Sequence, residues 1–390
     1  MKYDFDEMVE RRGTKSVKWD IERASGCLPL WVADMDFKVA EPIRRALQRR
    51  LDHGVFAYTF PDDDYFNAAI RWFERRHQWT INRSDILYTT GVVPALSAVI
   101  RALSTPGDKV LLTTPVYNCF FLSIRNNGCE ACQVPLLLRD GLYEFDYDAI
   151  EQAAADPQAT LMVVCNPHNP GGRVWRRDEL QRIHDICARH DVRVISDEIH
   201  CELVFRGHAY TPYGTVGTDD RLASVSLCSP SKSFNIAGLQ NAIIVCRDAD
   251  ARQKIDRAIN INETCDQNPF GIEAFIAAYN EGEEWLEQMM DYVAANDACF
   301  RAFFAEHLPQ YPVMPLEGTY LEWVDAKAAG LTSDQLVETL RTEAKVLLCS
   351  GSIYGDAGEG YLRFNLACTR ATLTEALRRI APVLQRLAAH

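Results

Sequence analysis

The 390-residue chain carries 41 Lys and Arg against 54 Asp and Glu, a formal charge of -13, which argues against nucleic acid or an anionic membrane as partner. Its hydrophobic content of 47% is ample for a large core, yet no uninterrupted apolar stretch approaches the length of a membrane span. The N-terminus lacks a basic region followed by an apolar core, so no secretory signal is expected. The 13 cysteines are scattered and odd in number, and Cys129 with Cys132 form a lone C-x-x-C. Reduced thiols in a cytoplasmic protein are the expectation, with no metal, since the nine histidines show no ligand spacing either.

In chain order, the first forty residues read as irregular and aromatic. From about residue 86 to 245, short apolar runs alternate with helical stretches. Runs 86–90, 110–114, 132–136, 161–165, 192–196, 222–228 and 242–246 read as buried strands. Residues 94–103 read as a helix, and so do 177–190, where Leu180, Ile183, Ile186 and Cys187 share one face. This alternation means an α/β domain with a largely parallel sheet covered on both sides. A long helical run, 285–307, leads out of it. Runs 319–324, 346–349 and 361–366 then read as strands between helices, with a Gly-rich loop at 351–360, which implies a second, smaller α+β domain.

Three strand ends carry chemistry. Run 161–165 ends in Asn166-Pro167-His168-Asn169-Pro170-Gly171-Gly172, a turn by composition, where an asparagine side chain can reach a ring oxygen. Run 192–196 is followed by Asp197 and Glu198, at the edge where open α/β sheets bind ligands. Adjacent residues of a strand point to opposite faces, so one of the two acids is expected at the site. A carboxylate there can hold a pyridine nitrogen protonated. Run 222–228 leads into Ser229-Pro230-Ser231-Lys232-Ser233. A strand-end lysine among small hydroxyl residues suits a Schiff base with pyridoxal phosphate (PLP), with Ser229 and Ser231 as phosphate donors and Gly238 allowing close backbone approach.

Together these windows resemble the aminotransferase-like (class I/II), fold-type-I PLP enzymes, and within them the MalY/PatB-type cystathionine β-lyase (C–S lyase) branch. The marks run nearly the whole length: Trp31-Val32-Ala33-Asp34-Met35-Asp36-Phe37, Cys165 to Pro170, Ser196 to His200, Ser231 to Gln240, and Glu317-Gly318-Thr319-Tyr320-Leu321. The resemblance implies a large PLP domain with a mainly parallel seven-stranded sheet over residues 45–285. It also implies a small C-terminal domain over 286–390, and an N-terminal segment, 1–44, along the small domain and the active site. Lys232 would carry the cofactor, Asp197 would pair with the pyridine nitrogen, and Asn169 would bond the phenolic oxygen. His200 stands where many aminotransferases place a tyrosine for that oxygen. Tyr117 would stack on the ring, and the amides of Gly91, Val92 and Val93 would bind the phosphate at a helix N-terminus. Tyr58 would reach the phosphate of a neighbouring subunit in a homodimer. Arg363 would clamp the substrate carboxylate with its planar fork. Gln240 occupies a position where many aminotransferases have a phosphate-binding arginine. The implied reaction is α,β-elimination from L-cystathionine, cysteine or cysteine S-conjugates. An aminotransferase, or a regulatory binding protein on the same fold, are the alternatives.

Overall fold

The computed structural model of the chain describes residues 2–21, 24–217, 222–261 and 266–388. Its N-terminal segment is irregular apart from one helical turn, α1 (Val17–Asp20), and a two-residue strand, β1 (Leu28–Pro29). Two helices with one apolar face follow, α2 (Glu41–His53) and α3 (Asp63–His77); the Asp62 side chain caps α3 by accepting from Tyr65 N. The chain then alternates through β2 (Ile86–Thr89), α4 (Val92–Leu103), β3 (Lys109–Thr114), α5 (Cys119–Asn126) and β4 (Glu130–Pro135). A small hairpin, β5 (Leu137–Arg139) and β6 (Leu142–Glu144), precedes α6 (Tyr147–Ala154), β7 (Ala159–Cys165), α7 (Arg177–Arg189), β8 (Arg193–Asp197), β9 (Val225–Cys228) and β10 (Ala242–Cys246). Helices α8 (Ala249–Asn260), α9 (Pro269–Glu281) and α10 (Glu283–His307) lead to β11 (Leu321–Asp325), α11 (Ser333–Thr339), β12 (Val346–Leu347), β13 (Cys349–Ser350), β14 (Tyr361–Asn365) and α12 (Arg370–Ala388).

Seven strands form one sheet in the order β2-β10-β9-β8-β7-β3-β4, and only β10 runs antiparallel to its neighbours. The inner strands are buried on both faces, which is why they read as unbroken apolar runs. Their side chains nonetheless sort by period two. Val110 and Leu112 pack with α4 and α8, whereas Leu111, Met162 and Val194 pack with α6 and the Leu180, Ile183, Ile186 and Cys187 face of α7. A three-stranded antiparallel sheet, β11-β14-β13, lies in the C-terminal part of the chain. The α/β fold with a mainly parallel seven-stranded sheet and a smaller α+β C-terminal part is therefore as expected.

The differences are local. Run 346–349 splits in two, because Val346–Leu347 pairs in parallel with β1 while Cys349–Ser350 joins β14. Strand β4 starts at Glu130, whose register partner is Lys109, and β9 shortens to four residues. Helix α2 begins at Glu41 and α10 at Glu283, so borders at 44 and 285 would fall inside helices. The hairpin β5–β6 was not anticipated, although its Asp140-Gly141 turn, with both φ angles positive, is a sequence signal for one. No helix among the described residues is long and apolar enough to cross a membrane. The described cysteines are free, and Cys265 lies outside the described residues.

Candidate active site

The C-terminal ends of β3, β7 and β8, the turn after β9 and the N-terminus of α4 enclose a cavity of roughly 200 Å³. Asp197, the last residue of β8, lines it. Its Oδ1 accepts one backbone hydrogen bond, from Ile199 N at 3.1 Å, and burial pushes its carboxyl up to about 7. Glu198 turns the other way, as strand alternation requires. It accepts from Tyr213 N at 2.7 Å and Ser196 Oγ at 3.1 Å, and burial raises its carboxyl too.

Lys232 follows β9 in a tight turn closed by Phe234 N on Pro230 O. Its Nζ donates to Ala33 O at 2.6 Å, and burial, with Arg363 nearby, lowers its amine below the usual lysine range. The same turn continues to Asn235, held at φ +56°. The Asn235 amide accepts from Met35 N at 3.0 Å and donates to Met35 O at 3.0 Å and Phe37 O at 2.9 Å. Those bonds fasten the N-terminal segment across the lysine.

Asn169, in the turn after β7, lines the cavity and accepts from Arg363 Nη1 at 3.1 Å. Arg363 comes from β14; its Nη2 donates to Trp31 O at 2.7 Å and its guanidinium lies 5.3 Å from the Tyr354 ring centre. Its Nε is buried without a partner. Tyr117, just after β3, presents its ring to the cavity and packs edge-on to Phe120. His200 lines the same space with Nδ1 buried and unpartnered, and burial pushes the imidazole down to about 3, so it is neutral.

Gly91 precedes the first turn of α4, and Ala95 N bonds its carbonyl at 2.9 Å. The Val92 and Val93 amides are first-turn donors with no intrahelical acceptor, and Pro94 has no N–H to add. They face the cavity, where the helix terminus favours an anion. Ser231 also lines it. Ser229 is a correction: its hydroxyl donates to Asn241 O at 2.6 Å and accepts from Ser231 N at 3.1 Å, so it braces the turn instead of facing the site. Tyr58 is 95% exposed and lies outside the cavity lining of this chain.

Two features were not read from the sequence. Segment 1–44 was expected along the active site, but the particular part played by Trp31–Met35, with the cavity wall at Ala33, was not read from the sequence. His77, Cys201 and Glu202 also come together, with ligand atoms within 4.8 Å of one another, from segments too far apart for any spacing rule. Glu202 is already held by Trp72 Nε1 at 2.6 Å, His77 Nε2 at 2.7 Å and Arg76 Nε at 2.9 Å. The guanidinium occupies the place of a cation, so the cluster is a closed ion pair network.

The open site has the groups PLP needs: a lysine amine, a buried carboxylate with no ion pair among the described residues, free amides at a helix N-terminus, and a lining histidine whose Nδ1 is buried and unpartnered. The comparisons agree. Residues 25–380 match the family model for aminotransferase class I and II. The chain is 41% identical to cystathionine beta-lyase PatB of Bacillus subtilis, covering 98% of this chain and 100% of that protein. It is 32% identical to protein MalY of Escherichia coli, covering 96% and 97%. The crystal structure of cystalysin from Treponema denticola, which contains a pyridoxal 5'-phosphate cofactor, superposes with a TM-score of 0.95 at 34% identity over 99% of this chain and 100% of that one. The chain therefore belongs to the PLP-dependent, fold-type-I aminotransferase class I and II family, in its MalY/PatB-type cystathionine β-lyase branch.

Proposed function

We propose that this chain is a PLP-dependent C–S β-lyase that cleaves L-cystathionine, and cysteine or cysteine S-conjugates, to a thiol, pyruvate and ammonia. The observation that carries the reading is convergence. Lys232, Asp197 and Asn169 come from three separate segments to one cavity, and Arg363 reaches Asn169 from a fourth, in a chain alignable end to end with a protein named cystathionine β-lyase.

When bound, PLP would supply an electron sink for the charge left at the substrate's α-carbon, which makes loss of a β-thiolate possible. The chain's own residues do the rest. Lys232 anchors the cofactor and, once free, carries the α-proton; an amine lowered by burial is suited to act as a base near neutral pH. Asp197 would hold the pyridine nitrogen protonated. Asn169 and neutral His200 would serve the ring oxygen, and Tyr117 the ring itself. The Gly91, Val92 and Val93 amides with Ser231 would hold the phosphate. Arg363 binds the substrate α-carboxylate; exchanging its Asn169 and Trp31 contacts for a carboxylate keeps its planar donors satisfied.

The homodimer is part of this reading. Leu51 at the end of α2 and Val55, Phe56, Tyr58 and Phe60 after it form a run of exposed apolar residues, and a second copy of the chain is the partner that covers it. Tyr58 would then reach the neighbouring phosphate. We also read a large domain and a smaller C-terminal one, with borders near the starts of α2 and α10, and a cytoplasmic protein, which the free cysteines support.

Purified, PLP-loaded protein offered cystathionine, cysteine, and an amino acid with 2-oxoglutarate in parallel tests the reading. Pyruvate, ammonia and free thiol in equal amounts are expected from cystathionine. Glutamate accumulation without thiol would instead make the chain an aminotransferase.

A further inference from the structure

Every carbonyl from Trp31 to Met35 accepts a hydrogen bond from a side chain of a distant segment. Arg363 Nη2 holds Trp31 O at 2.7 Å, and Asn365 Nδ2 spans Val32 O at 2.5 Å and Asp34 O at 2.6 Å. Asn235 Nδ2 holds Met35 O at 3.0 Å. The central carbonyl, Ala33 O, takes two donors: Lys232 Nζ at 2.6 Å and the Tyr320 hydroxyl at 3.1 Å. A carbonyl oxygen has two lone pairs and accommodates both. Tyr320 is fully buried just before β11, with its ring edge-on to His200 at 6.2 Å. A phenylalanine would fill the same space, so what the hydroxyl adds is its hold on Ala33 O.

We propose that Tyr320 is a positioning residue for Lys232: by holding the Ala33 carbonyl it fixes where the ε-amine rests whenever that amine is free, and hence the line along which it moves a proton. This rests on reading Lys232 as the proton carrier. Two donors on one oxygen weaken each other. Removing the Tyr320 hydroxyl lets Ala33 O hold a charged Lys232 more strongly, so the amine keeps its proton to higher pH. Freeing Val32 O and Asp34 O by Asn365→Ala loosens the whole segment, draws Ala33 O away from the amine and moves the midpoint down. The opposite signs separate positioning from general damage.

The experiment uses the full-length chain. Acetylation of Lys232 by limiting acetic anhydride is followed against pH by peptide mass before PLP is added, and kcat and KM for cystathionine are measured after loading. In Tyr320→Phe the labelling midpoint is expected to rise by about half a pH unit. Its kcat at neutral pH is expected to fall roughly tenfold, with KM little changed. Tyr311→Phe deletes another buried, hydrogen-bonded hydroxyl, held by Leu384 O at 2.8 Å, and should leave the midpoint in place. Either readout standing still in Tyr320→Phe, or an equal midpoint shift in Tyr311→Phe, overturns the proposal. Should Tyr320→Phe not fold, Asn365→Ala decides, and a midpoint that does not fall overturns it. Failure of the Lys232 reading itself is seen separately, as turnover surviving in Lys232→Ala.

Discussion

Asp197 and Glu202 flank the same short stretch after β8, and both are buried acids, yet they behave oppositely. Glu202 is met by an indole, an imidazole and a guanidinium, and its carboxyl is pushed down to about 2. Asp197 has one backbone donor and is pushed up to about 7. Burial penalises both charges equally in kind; the partners decide the sign. A buried charge whose partners all belong to the protein holds the fold together. A buried charge left short of partners marks the place reserved for something that arrives later. Around Asp197 the same incompleteness recurs at His200 Nδ1 and Arg363 Nε.

The contrast predicts that variants on the open side change function more than stability, and variants on the closed side the reverse. The largest effect belongs to Lys232→Ala. Turnover should fall by at least roughly ten-thousand-fold, measured as pyruvate released, and borohydride should fix no pyridoxyl group at that peptide. The thermal midpoint of the cofactor-free chain should barely move. Turnover within tenfold of wild type would break the comparison at its centre.

Arg363→Ala comes next. Loss of a charge-assisted, bidentate contact to a carboxylate left buried costs on the order of 2–5 kcal/mol. It should show mainly in KM, and a change confined to kcat would assign Arg363 a different task.

The two acids themselves give the sharpest test, through stability against pH in the cofactor-free chain. The folded-state value of Glu202 lies below its usual 4.5, so its contribution is complete above pH 4.5 and disappears as pH falls to about 2. Glu202→Gln should therefore cost roughly 3 kcal/mol at pH 7, little near pH 2, and leave KM alone. The folded-state value of Asp197 lies above its usual 3.8, so stability is highest below that pH and declines as pH rises to about 7. Asp197→Asn should abolish that decline and stabilise the cofactor-free chain at pH 8 by about 1 kcal/mol or more, while impairing catalysis. Denaturant titrations at three pH values check both signs, and equal destabilisation by the two variants would erase the distinction.

The smallest effect lies outside the cavity. Tyr58→Phe should weaken PLP retention several-fold, about 1 kcal/mol for one hydrogen bond, in a dimer that stays associated. A fully active monomer in sedimentation would remove Tyr58 from the site altogether.

Much of this arrangement was legible before any coordinates. Unbroken apolar runs at regular intervals mark strands buried on both faces, and the residues just past their ends face the ligand edge of such a sheet. Asp197, Asn169 and Lys232 stand at those ends. Strand alternation also separated Asp197 from Glu198, though not which of them faces the cavity. Arg363, Tyr117 and the Gly91 turn came from resemblance, since nothing local distinguishes Arg363 from other arginines on strands.

What local pattern determined, then, was a largely parallel sheet of short buried strands, the strand-end acid and the strand-end lysine, because period and turn chemistry act between near neighbours. Tertiary structure alone decided the rest: the split of 346–349 between β1 and β14, the inward turn of the Ser229 hydroxyl, the closed cluster of Glu202 with His77, and the two donors on Ala33 O. Each joins groups from separate segments or turns on the rotamer of one side chain. Contacts of that kind leave no period in a sequence; they exist only once the sheet and its flanking segments have packed.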